Sequence, residues 1–231
     1  MKLKDWVILL IVALLISAFV FVPGLKTAYE NLNATHGMWM SFAKFALLAT
    51  FGESLALRIK TGFYNRPGFG LLPRALVWGF LGLTIKIAFV IFANGTPVLL
   101  AYLGFEEALT ALPSGLSWAA FFTAFSISTA MNLTYAPVMM TIHKITDTHI
   151  SKTGGSLRGL FSPINIRQIF RHLDWDTQWN FVFKKTIPFF WIPAHTITFL
   201  LPADYQILFA ALLGVALGVI LSFATLKNVK P

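Results

Sequence analysis

Four residues with polar or ionisable side chains lie inside long apolar stretches of the sequence: Glu53, Lys86, Asn132 and His195. Such side chains are costly within a membrane helix, so they are the first candidates for function. We expect them to line a hydrated pathway or a solute pocket, in which basic groups on one side favour anions. The alternative is structural: Glu53 pairs with a lysine, the lysines extend to the surface, and His195 is a packed, hydrogen-bonded histidine.

Positions along the helices give these residues approximate depths. With a rise of about 1.5 Å per residue, Lys44, Lys86 and His195 lie at similar distances from the outer ends of their apolar stretches. Glu53 lies nearer the opposite end, and Asn132 falls at about the level of Glu53. We therefore expect two polar levels within one bundle of helices.

The chain has six apolar stretches, four of which contain these residues, and each stretch is long enough for a membrane-spanning helix. A hydrocarbon core of about 30 Å needs about 20 apolar residues in a helix. Charged residues make up only 12% of the chain, compared with about a quarter of a soluble domain. We predict an all-α, polytopic transmembrane helix bundle with about six spans, at residues 6–24, 38–57, 73–93, 117–141, 181–201 and 205–226.

Basic residues between the stretches orient the chain. With the amino terminus in the cytoplasm, 15 Lys and Arg residues fall in inner segments and only Lys26 falls in an outer loop. This distribution follows the positive-inside rule, so we predict that both termini are cytoplasmic. The net charge of +9 is then a signal of topology, and we expect no binding of nucleic acid.

Three regions follow from this topology. Residues 1–37 form an extra N-terminal transmembrane anchor with an outer loop, residues 38–226 form the helix bundle, and residues 227–231 form a short basic tail. We favour a retained anchor because no small-x-small cleavage site follows the first stretch. Within the bundle, the basic cytoplasmic loop at 143–180 has an amphipathic segment at 166–173. This segment is either a helix on the membrane surface or a helix packed beneath the bundle.

Small residues recur on two of the predicted spans. They come every four residues in the last span, and the third span contains two glycines. Another helix can therefore approach each of these spans closely. We predict helix packing, within one chain or between the copies of a homo-oligomer, at Gly79, Gly82, Ala210, Gly214, Gly218 and Ser222.

Catalytic patterns occur only as fragments. Ser41–Lys44 matches S-x-x-K and Lys152–Gly154 matches K-T-G, but the predicted topology places them on opposite sides of the membrane. The chain has no cysteine, which excludes thiolate catalysis and cysteine-bound metals. His143 and His149 lie in a predicted loop without a matched carboxylate pair. We therefore predict no enzymatic activity, no catalytic residue, no cofactor and no metal site.

Four segments, taken in order, carry a family resemblance. They are residues 45–57, 72–79, 130–137 and 190–206. In the first, Gly52 and Glu53 stand where the family has Gly-Asp, and in the third, Ala136 and Pro137 match its Ala-Pro. From about residue 40 to residue 224, the chain resembles the family of the peroxisomal membrane protein of twenty-two kilodaltons and the mitochondrial inner-membrane protein Mpv-seventeen.

The chain departs from this family at polar positions. Met131 and Asn132 replace an Asp-Gln pair, Thr198 replaces an Asn, and Gln206 replaces an Arg. The resemblance implies a small integral membrane protein, and some relatives are described as pores that pass small solutes with weak selectivity. Thr198 and Lys44 join the four residues above as predicted polar lining.

We predict a small-solute pore or permeation protein of low selectivity. Its expected partners are the lipid bilayer, small solutes or anions, and a second copy of the chain. The alternative function is that of a non-transporting structural or stress-related membrane protein that acts through helix–helix contacts. Because there is no Arg-rich transit peptide, we favour a bacterial plasma (inner) membrane over the mitochondrial inner membrane or the peroxisomal membrane.

Overall fold

The computed structural model describes residues 2–227, and every regular element within that range is a helix. The predicted all-α class is thereby confirmed. The chain divides into two compact units, Met1–Met40 and Ser41–Pro231. In the predicted basic tail, residues 228–231 lie outside the described residues.

Ten α-helices and one π-helical segment make up the described chain. They are α1 (Leu3–Phe21), α2 (Leu25–Thr61), α3 (Leu71–Tyr102), α4 (Ala108–Ala111), α5 (Trp118–Lys152), α6 (Leu157–Leu160), α7 (Ile166–Arg171), α8 (Trp175–Thr177), the π-helical segment Gln178–Trp191, α9 (Ile192–Leu200) and α10 (Ala203–Lys227).

Four helical stretches of the described chain are long and apolar enough to cross a membrane: Leu3–Phe21, Leu25–Thr61, Leu71–Tyr102 and Ala203–Phe223. The composition and these helices together indicate a membrane protein. The count of six spans is not confirmed. Helix α5 is long but carries many Ser, Thr and Asn side chains, and the predicted fifth span is divided between the π-helical segment and α9.

Helices extend well beyond the apolar stretches that predicted them. The region predicted as an outer loop before residue 38 is mostly the start of α2, which has a kink at His36. The predicted loop at 143–180 is also largely helical, because α5 continues to Lys152 and α6, α7 and α8 follow. A polar residue interrupts an apolar stretch of the sequence, but the backbone hydrogen bonds of the helix can continue past it.

Side-chain caps begin four of the helices after α3. Ser117, Ser156, Asn165 and Asp174 each accept a hydrogen bond from a backbone N–H in the first turn of the helix that follows. These caps satisfy donors that have no partner within the helix. The short elements after α5 therefore have defined starting points.

The core of the second unit is built from small and apolar side chains on α2, α3, α5, α9 and α10. Its fully or nearly fully buried members are Phe45, Ala49, Ile85, Ala88, Phe89, Ala124, Ile127, Met131, Phe199, Ile207, Ala210 and Ala211. A smaller cluster of Ala136, Ile187 and Ile192 joins α5 to the π-helical segment and α9.

Glycines bring α2 close to both α3 and α10. A Cβ atom on Gly82 would lie 2.8 Å from the Cβ of Phe45, and one on Gly79 would lie 2.5 Å from the ring of Phe42. On the other side of α2, a Cβ atom on Gly52 would lie 2.9 Å from the Cα of Val215. Larger side chains at these positions would force the helices apart.

The small residues of α10 have different surroundings. Ala210 is buried in the core, and a Cβ atom on Gly218 would lie 3.4 Å from the carbonyl oxygen of Gly52. The Ser222 hydroxyl donates to the carbonyl oxygen of Gly218 at 2.7 Å. Gly214 is open, with no atom within 4 Å of a Cβ placed there.

Candidate functional site

A cavity of about 410 Å³, partly open to the outside, lies in the second unit. Helices α2, α3, α5, α9 and α10, the segment at 174–177 and the π-helical segment all contribute to its wall. Its volume is within the range of small-molecule sites, about 300–1,000 Å³. Most of the wall is apolar, with methionine, phenylalanine, leucine and tryptophan side chains. Three of the predicted lining residues are in the wall: Glu53, Asn132 and His195.

One end of the cavity contains a cluster of charged side chains around Glu53. Its Oε2 accepts a hydrogen bond from Nη1 of Arg74 at 2.6 Å. Its Oε1 accepts from Nε1 of Trp78 at 2.8 Å and lies 3.0 Å from Nε2 of His143. Arg74 also forms an ion pair with Asp147. We call these five residues the Glu53 cluster; they join α2, α3 and α5.

Further contacts hold Arg74 and His143 of the Glu53 cluster in place. Arg74 donates from Nε to the carbonyl oxygen of Phe69 at 2.7 Å, and its guanidinium lies 4.6 Å from the centre of the Phe69 ring. The rings of Trp78 and His143 are 4.3 Å apart between centroids. Because an ionised carboxylate only accepts hydrogen bonds, Nε2 of His143 carries the hydrogen. Each acid of the cluster therefore faces a fixed donor.

The partners of Glu53 differ from those expected. The structural alternative paired it with a lysine, but the structure pairs it with Arg74 and His143. His143 lies on α5 and not in a loop. Two spacings in the sequence could have indicated the cluster: Arg74 and Trp78 are four residues apart, as are His143 and Asp147. Residues with this spacing share one face of a helix.

A second polar group lies deeper in the wall. Nδ2 of Asn132 is 3.0 Å from Nδ1 of His195 and donates to the carbonyl oxygen of Ser128 at 2.8 Å. The Ser128 hydroxyl donates to the carbonyl oxygen of Ile192 at 2.7 Å. These contacts join α5 to α9. Asn132 has no exposed surface, and His195 is 8% exposed.

The expected depth of Asn132 is wrong. It lies level with His195, which it contacts, and not with Glu53. The predicted fourth span ends at residue 141, whereas α5 continues to Lys152. Asn132 is therefore near the middle of its helix.

Aromatic rings surround His195. It stacks on Trp191 with 5.1 Å between centroids and meets the edge of Phe89 at 5.7 Å. Nε1 of Trp191 is buried and has no hydrogen-bond partner among the described residues. A buried indole N–H normally has an acceptor. The wall at this level therefore holds one donor that a solute with an oxygen atom could satisfy after a small movement.

Beyond Phe89, away from the Glu53 cluster, the cavity ends in packed core. The rings of Phe89 and Phe199 are 4.8 Å apart between centroids. Phe89 is part of the cavity wall, whereas Phe199 is 2% exposed and lies in the core cluster with Ile127 and Ile207. An aromatic pair thus separates the cavity from the far end of the bundle.

The other predicted lining residues are not in the wall of this cavity. Lys44 is buried and interacts electrostatically with Lys86 and with Asp204 at the start of α10. The Thr198 hydroxyl donates to the carbonyl oxygen of Ala194 at 2.9 Å, so it bonds within its own helix.

The described residues include no group of three or more His, Cys, Asp and Glu side chains that could hold a metal ion.

Comparisons of the chain with protein-family models, with curated proteins and with solved structures found no match. The resemblance to the family of the twenty-two-kilodalton peroxisomal protein and Mpv-seventeen stays a prediction from the sequence.

Proposed function

We propose that this protein is a six-span membrane protein through which small, uncharged solutes cross by way of the cavity. The observation that carries the proposal is the cavity itself: an apolar chamber within the bundle with polar groups at two levels. A protein that served only as a helix scaffold would have no need of this chamber, because close packing of the same helices would be more stable.

Two further helical segments complete the six spans in this proposal. Helix α5 has 35 residues, about 50 Å at 1.5 Å per residue. Residues 178–200 form a continuous helical path of two elements. Each buries several polar side chains, such as Ser128 on α5 and Thr196 on α9, where protein rather than lipid surrounds them. With an even number of spans, both termini are on one side, and the basic residues favour the cytoplasm of a bacterial cell.

The wall favours uncharged solutes over ions. Glu53 is neutralised by Arg74 and hydrogen-bonded by His143 and Trp78. The middle of the cavity offers apolar side chains together with the amide of Asn132 and the imidazole of His195. An ion that left water for such a wall would lose its hydration without gaining a counter-charge. A small alcohol or amide would lose far less.

A specific observation favours the alternative of a structural protein. The polar groups within the bundle form pairs, Glu53 with Arg74 and Asn132 with His195, as expected for side chains that hold helices together. Solute permeation and a structural role make different predictions about the cavity. Solute flux depends on its free volume, whereas a scaffold would gain stability if the volume were filled.

Replacing Gly214 by leucine is expected to lower solute flux while the protein stays folded. Gly214 is in the cavity wall, and a Cβ atom there meets no other atom within 4 Å. The leucine side chain therefore has room to enter the cavity. In a helix, leucine is also favoured over glycine by up to about 1 kcal/mol. The measurement is the swelling rate of proteoliposomes in glycerol and in urea, followed by stopped-flow light scattering.

Gly95→Leu is the matched control. Gly95 is also a helical glycine with open space around it, but it is not part of the cavity wall. We expect wild-type flux from this variant, and flux at the level of empty vesicles for ionic solutes in every case. If wild-type vesicles swell no faster than empty ones, or if both leucine variants conduct equally well, permeation through this cavity is excluded.

A further inference from the structure

An exposed surface on the second unit combines aromatic and basic side chains. Between residues 157 and 185, large apolar side chains are turned away from the protein, including Phe161 (77% exposed), Ile166 (57%), Phe170 (45%) and Trp179 (55%). Exposed basic side chains lie among them, at Arg158, Arg167, Arg171, Lys184 and Lys185. We call this set the basic aromatic surface.

Packing against α5 fixes the orientation of α7 in this surface. Ile169 is 3% exposed, and α7 lies against α5. The neighbouring side chains Ile166 and Phe170 are left outside. The sequence allowed two arrangements for this segment, a surface helix or a helix packed under the bundle. The structure has features of both, since one side chain anchors the helix while the others are exposed.

Local contacts give the surface a fixed shape. The rings of Phe170 and Trp175 are 4.7 Å apart, and Nε1 of Trp175 donates to the carbonyl oxygen of Phe170 at 2.9 Å. The ammonium group of Lys184 lies 5.8 Å from the centre of the Trp179 ring. The aromatic side chains are therefore held in position before any partner binds.

The acidic residues of this region are already engaged. Asp174 accepts hydrogen bonds from the hydroxyl and the backbone N–H of Thr177, and these bonds lower the pKa of its carboxyl group. Asp176 accepts a hydrogen bond from Asn180. The basic side chains outnumber these two acids, so the surface has an excess of positive charge that suits an anionic partner.

We propose that the basic aromatic surface binds the headgroups of anionic phospholipids in the adjoining membrane leaflet. Aromatic rings with basic side chains are the combination found where proteins meet a membrane interface. An acidic protein partner would match the charge, but it would leave unexplained why exposed aromatic side chains lie directly before and at the start of residues 178–200, which we have proposed to cross the bilayer. The lipid contact requires that membrane arrangement, but it requires no solute transport.

The test is lipid binding to the full-length protein in detergent, counted by native mass spectrometry during titration with phosphatidylglycerol or phosphatidylcholine. We expect wild-type protein to retain phosphatidylglycerol preferentially. Arg167→Gln/Arg171→Gln is expected to retain it about 25-fold more weakly, because each basic residue near an anionic surface contributes about a fivefold change in affinity.

Lys4→Gln/Lys26→Gln is the matched control, because it removes the same charge from exposed sites in the first unit. It is expected to bind like the wild type. Equal retention of the two lipids by the wild type would overturn the proposal, as would an equal loss in both double variants. Thermal unfolding of each variant without added lipid shows whether it is folded, and binding without transport in the flux assay would support this proposal while rejecting the proposed function.

Discussion

Replacing Arg74 by methionine is expected to destabilise the protein more than any other single change in the Glu53 cluster. The Arg74 side chain is 10% exposed and forms ion pairs with both Glu53 and Asp147. Without it, two carboxylates on α2 and α5 face each other with no arginine between them. Removing one partner of a buried pair costs about 3–5 kcal/mol. Since both acids retain some exposure to water, we expect about 3 kcal/mol here, by the same measure.

The measurement is thermal unfolding in detergent, followed by tryptophan fluorescence. Arg66→Met is the control, because Arg66 is exposed and its side chain forms no ion pair among the described residues. It is expected to unfold like the wild type. The double variant Arg74→Met/Glu53→Gln should recover part of the loss, since one unpaired charge is removed as well. Unchanged stability of Arg74→Met would show that the cluster does not hold the helices together.

The sequence indicated Glu53 as a special residue but not its partners. An acid in an apolar helix is visible from the sequence alone, because its cost in a membrane is a property of one residue. The choice between a lysine and Arg74 as its partner depends on how α2 and α3 are turned towards each other. That rotation is set by the close approach at Gly79 and Gly82. The sequence identified the glycines, but which residue they bring next to Glu53 follows only from the three-dimensional packing of the helices.

Hydropathy also could not predict where the helices end. Apolar stretches mark the part of a helix that lipid can surround, whereas α5 continues past residue 141 because its hydrogen bonds and side-chain contacts continue. The extension places His143 and Asp147 against α2 and α3. Two of the five residues of the Glu53 cluster were therefore missed for one reason: they were assigned to a loop.

The π-helical segment had only a weak signal in the sequence. Pro188 lies inside it and Pro193 follows at the start of α9, and proline removes a backbone donor. The side chains that this segment gives to the cavity are Gln178, Phe181, Val182, Thr186 and Trp191. Most of them recur every four or five residues, which fits the wider turn of a π-helix. An α-helical period would have placed some of them outside the wall.

Replacing Phe199 by alanine is expected to raise solute flux, provided that the cavity is the solute path. The Phe89–Phe199 pair is the packed barrier between the cavity and the far end of the bundle. Removing one ring opens a connection of about one benzene ring in size. The same change costs stability, about 3–5 kcal/mol for a buried phenylalanine. Flux and stability should therefore move in opposite directions.

Phe199→Leu keeps most of the side-chain volume, so it tests the same barrier if Phe199→Ala does not fold. We expect an intermediate flux from Phe199→Leu, with a smaller loss of stability. Phe189→Ala is the matched control, because Phe189 is 80% exposed and is not part of the cavity wall. The rates are compared in the same glycerol swelling assay, with thermal unfolding measured on each preparation. If folded Phe199→Leu and Phe199→Ala both conduct at the wild-type rate, the aromatic pair does not limit passage, because a barrier of packed rings has to become leakier as its volume is removed.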